Sequence, residues 1–123
     1  MTPLSVVVWH EDPRISRALA SSLCHHFHSV HVAEALDDLH GMITKHRAEV
    51  LVLDMEGAHL QIVERIHRDY PSICIVCTHR VADEQMWAAA LDVGASDYCQ
   101  TSDTEGILLA AIRNAQPSHS AAA

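Results

Sequence analysis

Basic residues are scarce in this chain. Lys and Arg number 8 against 16 Asp and Glu in 123 residues, a net charge of −8 with histidine neutral. A chain so poor in cations lacks the basic face that phosphate neutralisation requires, which argues against direct binding of nucleic acid. Long apolar runs are missing as well. None approaches membrane-spanning length, and no basic segment followed by an apolar stretch opens the chain, so no membrane association and a cytoplasmic location are expected. The cysteines number 4, and without a secretory signal they read as reduced thiols rather than a disulfide framework. No internal repeat is visible. No glycine-rich phosphate loop follows the first apolar run, which counts against an enzyme built on such a loop.

What remains is ordinary for a soluble domain: 49% apolar and 20% charged residues, enough for one sizeable core and not two. Histidine is the exception, with 11 copies. Joint protonation would raise the net charge steeply on mild acidification. A solvated-surface or lineage bias is the simpler account.

Three short apolar runs, "SVVVW" (5–9), "EVLVLD" (49–54) and "ICIVCT" (73–78), do not alternate with polar residues. That pattern predicts parallel strands buried on both faces. "SVHVAEA" (29–35) and "SDYCQT" (96–101) are weaker strand candidates. Helical spacing covers 13–27 through Ile15, Leu19, Leu23 and Phe27, then Leu36–Ile43, Leu60–Tyr70, 82–92, and a fifth segment around Ile107–Ile112. Gly94 stands where a left-handed helix cap is expected. Five alternations of strand and helix predict an α/β sandwich with helices on both faces of a parallel sheet. Residues 1–116 form the predicted domain, and 117–123 a disordered tail or the start of a linker.

In such folds ligands bind beyond the carboxyl ends of the strands. The residues at those ends are His10 and Glu11, Asp54, Thr78 and Thr101. Asp12 followed by Pro13 reads as a helix start, the aspartate capping and the proline at the first helical position.

The acids before "DP", the Asp closing "VLVLD", the Thr closing "IVCT" and the "GASDY" before the last strand together resemble the receiver domain of two-component response regulators. The resemblance runs from Val6 to Ala115, and "ILLAAIRNA" is similar to the last helix of receivers of the NarL/LuxR kind. It implies the (βα)5 flavodoxin-like fold with strand order 2-1-3-4-5. It implies Asp54 as phospho-acceptor, Glu11 and Asp54 as metal ligands with the backbone carbonyl of Glu56, and Thr78 and Tyr98 as switch residues. It also implies Mg²⁺ as cofactor and a sensor histidine kinase or other signalling protein as partner. A homodimer through the fourth and fifth helices and a C-terminal DNA-binding output domain outside this chain follow from the same likeness.

Three departures stand against a full match. His10 takes the place of the first metal-binding acid, Thr101 takes the place of the family lysine, and the loop after Asp54 is shorter by roughly one helical turn. Asp54 and Glu11 with neutral His10 and no lysine still leave the empty site the charge of three acids and one lysine. A hard Mg²⁺ prefers oxygen to imidazole nitrogen, so weak Mg²⁺ binding is expected, and His10 is favoured as a buried histidine without a ligand. The expected function is an atypical receiver with weak or absent phosphorylation at Asp54, controlled by dimerisation or partner binding, and not an enzyme. A conventional phospho-accepting receiver and a histidine-rich metal-sensing module are the alternatives.

Two further motifs carry metal-like spacing. Cys74 and Cys77 fit C-x-x-C, but residues three apart on a strand face opposite ways. "CHHFHSVH" (24–31) would place Cys24 and His28 on one helical face if the helix ran that far, and a solvated turn is favoured. Trp87 reads equally as core or as partner surface.

Overall fold

Strand β1 (Thr2–Trp9) leads into α1 (Pro13–Leu23), followed by β2 (Phe27–Val32), α2 (Leu39–His46), β3 (Val50–Asp54) and α3 (Leu60–Asp69). The second half continues with β4 (Cys74–His79), α4 (Glu84–Asp92), β5 (Asp97–Gln100) and α5 (Thr104–Asn114). The computed structural model describes residues 2–81 and 83–115. The segment 117–123, expected to be a tail or linker, lies outside the described residues. The strands form one sheet in the order β2-β1-β3-β4-β5, and every pairing is parallel.

The non-alternating runs fill both faces of this sheet. Val6, Val8, Val50, Val52, Cys74 and Val76 face one layer with Leu19 and Leu23 of α1 and Ile107, Ala110 and Ala111 of α5. Val7, Trp9, Leu51, Leu53, Ile75 and Cys77 face the other, against Leu39 and Ile43 of α2, Val63 and Ile66 of α3, and Ala90 of α4. The period of two along each strand therefore sorts neighbouring side chains into two separate cores.

Element ends moved where tertiary contacts overrode spacing. The first helix stops at Leu23 rather than reaching Phe27. Phe27, 1% exposed, instead opens β2 and packs into the α1/α5 core. The second strand consequently spans 27–32 rather than 29–35. Residues Leu36–Asp38 form a 3₁₀ turn ahead of α2. Asp12 caps α1 by accepting the Arg14 N–H at 3.0 Å, with Pro13 at its first position.

Gly94 follows α4 with φ of +117°, and a Cβ there would lie 2.4 Å from His67 Cγ of α3. Strain and clash act together at this one position. Gly94→Ala is expected to lower stability by about 2 kcal/mol, read as a lower urea midpoint with unchanged slope. A second expectation concerns His31 of β2, whose ring stacks on His46 of α2 with centroids 3.5 Å apart. Burial, then the neighbouring His46 and Lys45, hold its pKa below the ordinary 6.5. The folded state thus resists protonation that the unfolded chain accepts. The stabilisation is present above pH 6.5 and is lost as pH falls through the depressed folded value. Urea midpoints should fall on that acid side, and less so in His31→Gln.

Candidate functional site

Alternation along the strands brings the site together. His10 follows Val8, Asp54 follows Val52 and Thr78 follows Val76, each two residues on, so all three continue the row that faces α1 and α5. Asp54 pairs with Thr78 in the β3–β4 register, and Thr101 lies two residues beyond Cys99 of the same layer. Four adjacent strands thus deliver a histidine, a carboxylate and two hydroxyls to one edge.

Asp54 is fully buried, with 0% exposure. Its Oδ2 accepts the Glu11 N–H at 3.2 Å and its Oδ1 the Glu56 N–H at 3.0 Å. The turns after β1 and β3 are thereby tied to one carboxylate. Hydrogen bonds to a charged acceptor contribute about 1.5–3 kcal/mol each, comparable with the several kcal/mol that burying a carboxylate costs. These two bonds are what keep the group inside.

His10, 7% exposed, places Nε2 3.6 Å from Asp54 Oδ2. Its other nitrogen, Nδ1, accepts the Asp12 N–H at 2.9 Å. A neutral imidazole that accepts at Nδ1 carries its proton on Nε2. The ring therefore points an N–H, not a lone pair, at Asp54. Nε2, Thr78 Oγ1, Thr101 Oγ1 and Tyr98 Oη are buried without a protein partner.

Glu11 and Glu56 exchange the parts expected of them. Glu11 brings its backbone to Asp54, while its side chain packs over Gly57, where a Cβ would meet Glu11 Cβ at 2.9 Å. Glu56 brings its carboxylate as well as its N–H. Among the described residues, the group able to gather three ligand atoms within 4.8 Å is His10, Asp54 and Glu56. Within this group, His10 does not fit as a cation ligand. Metal ligation through Nε2 needs the proton on Nδ1, and the Asp12 N–H occupies that position. Glu56 is already paired with the Nε of Arg80.

Arg80 is the residue that strand-end reasoning passed over. It follows Thr78 by two positions, in the turn between β4 and α4, and lines the same pocket as His10, Asp54 and Glu56. Its distance from the strand end was the available signal. A guanidinium from this turn stands where β5, with Thr101, supplies none.

Tyr98 is 8% exposed and lies in the layer of α2, α3 and α4. Burial, then Cys77 and the carboxylates of Asp83, Asp54 and Glu56, push its hydroxyl pKa above the ordinary value. Trp87, at 45% exposure, belongs to the surface. Cys74 and Cys77 lie in opposite cores, so C-x-x-C forms no site. Cys24 ends α1 and His28 lies in β2, so they share no helical face.

No family model and no curated protein matches the chain. Solved structures do. A signal receiver domain of a two-component response regulator from Bacteroides fragilis superposes with a TM-score of 0.83 at 21% identity, over 95% of this chain and 100% of that one. The receiver domain of NarL from Mycobacterium tuberculosis gives 0.75 at 21% identity, over 92% and 96%. The chain has the receiver fold. NtrX of Brucella abortus gives 0.82 at 17% identity, over 92% of this chain. The chain spans only 26% of the length of NtrX, so the receiver fold occurs there within a longer protein.

The thiols provide a direct check on these surroundings. Burial pushes Cys77 up to about 12, and burial likewise raises Cys74 and Cys99 to about 11. Cys24 is exposed. Iodoacetamide at about pH 8 is expected to alkylate Cys24 of the folded protein first, the other three following on unfolding. A buried neutral thiol contributes stability that is complete below the ordinary value of 9.0 and is lost as pH rises toward 11 and 12. Urea midpoints should therefore decline on the alkaline side.

Proposed function

We propose that this chain is an atypical receiver domain in two-component-type signalling, with weak or absent phosphotransfer to Asp54 and control through dimerisation or partner binding. One observation carries the reading. Asp54 is fully buried, both of its oxygens accept main-chain N–H groups, and His10 turns a third N–H toward it. A carboxylate attacks phosphorus through an exposed lone pair, and transfer depends on charge neutralisation at the phosphoryl group. Here the acceptor is buried, His10 replaces one acid of the cation site, and the β5 position of the lysine holds Thr101.

Thr78 and Tyr98 are the switch residues of this reading. Tyr98 is buried in the layer of α2, α3 and α4. The surface for control is the apolar side of α4 and α5. Val81, Trp87, Leu91, Leu109 and Ile112 are 62%, 45%, 41%, 47% and 46% exposed, and apolar clusters of this kind mark interaction surfaces. A second copy, a sensor histidine kinase or another signalling protein would dock there. The short match to NtrX supports an output domain beyond this chain.

Incubation with acetyl phosphate and Mg²⁺, followed by intact mass, should show phosphate on a small minority of molecules. His10→Asp combined with Thr101→Lys restores the acid and the cation. It should raise the extent by about tenfold or more, the worth of one charge-assisted contact. Rapid, stoichiometric phosphorylation of Asp54 in the unaltered chain would overturn the reading and favour a conventional acceptor.

A further inference from the structure

Beside the Asp54 pocket lies a larger cleft of about 660 Å³, between α1 and the turn from β5 into α5. Its volume falls within the roughly 300–1,000 Å³ of small-molecule sites. One wall is apolar, formed by Ile15, Ala18 and Leu19. Leu19 is 5% exposed and belongs to the core, so this wall is rigid. The opposite rim carries Thr101, Ser102 and Arg80.

The polar groups of the cleft are mostly donors. Arg14, Arg80 and Asp12 are its charged side chains, a local surplus of one positive charge in a chain of −8. Asp12 is spent on Arg14, whose Nη2 and Nε reach it at 3.1 and 3.3 Å. Arg80 engages Glu56 through Nε, and its side chain is 79% exposed. The remaining N–H donors of its fork are placed for bidentate pairing. Ser102, exposed on the rim, adds a hydroxyl to these donors.

We propose that this cleft binds a small molecule with an oxyanion head and an apolar body. The head is held by Arg80 with the hydroxyl of Ser102, and the body lies on Ile15, Ala18 and Leu19. Arg80 lines both this cleft and the Asp54 pocket, so the ligand competes with Glu56 for one guanidinium. The site needs neither a metal nor phosphotransfer, and it stands whichever way Asp54 behaves.

The test is a titration of the ¹⁵N-labelled protein with 1-naphthyl phosphate or 1-naphthoate, followed by amide shifts. Inorganic phosphate and 1-naphthol supply the head and the body alone. At least one aryl anion should shift amides of α1 and of Thr101–Thr104 saturably, and the tighter of the two identifies a phosphate or a carboxylate head. Either half alone should bind about tenfold more weakly. Arg80→Gln should weaken binding by about tenfold, the loss of one charge-assisted contact. Arg80 is exposed, so the variant should fold. If its spectrum collapses, Arg80→Lys reports the loss of the fork. Absence of saturable shifts with both aryl anions, shifts confined to α4 and the outer face of α5, or unaltered binding in the Arg80 variant would each overturn the proposal.

Discussion

The buried carboxylate of Asp54 is the constraint around which the carboxyl edge of the sheet is arranged. A charge taken fully out of water must be met by donors, and the donors come from the chain immediately after β1 and after β3. Glu11 and Glu56 each contribute a backbone N–H. Once those turns are pinned, the directions of the neighbouring side chains follow. Glu56 lays its carboxylate across the mouth, Glu11 turns over Gly57, and Arg80 reaches Glu56 from the turn after β4.

The histidine belongs to the same arrangement. Asp12 caps α1 with its side chain, and its N–H is spent on His10 Nδ1. That bond selects the tautomer, and the tautomer decides what His10 can be. It carries an N–H 3.6 Å from a carboxylate, where a cation ligand would present a lone pair. The helix start and the site chemistry are thus linked through one aspartate, whose backbone and side chain do different work.

Charge at this edge has moved rather than vanished. Counting strand ends alone leaves the edge with two acids and no cation. With the turns included, Glu56 and Arg80 join it, restoring three acids and one cation from different positions. The arrangement differs in function from a lysine on β5. Arg80 is exposed and lines both the Asp54 pocket and the cleft beside α1.

Fold class and the row of site residues were legible in the sequence, because a parallel sheet covered on both faces writes itself as short apolar runs; the strand order came with the resemblance to receivers. The residues that end those runs must gather at one edge. The positions of His10, Asp54, Thr78 and Thr101 follow from that rule alone. The sequence could not show which part of each residue would be used. The choice between a backbone N–H and a carboxylate at Glu11 and Glu56, the proton position on His10 and the reach of Arg80 all depend on turn geometry. Turns have no period to read, and their side chains are directed by neighbours distant in sequence. Phe27 marks the same divide: its spacing suited the helix, and only the core beneath it placed it in the strand.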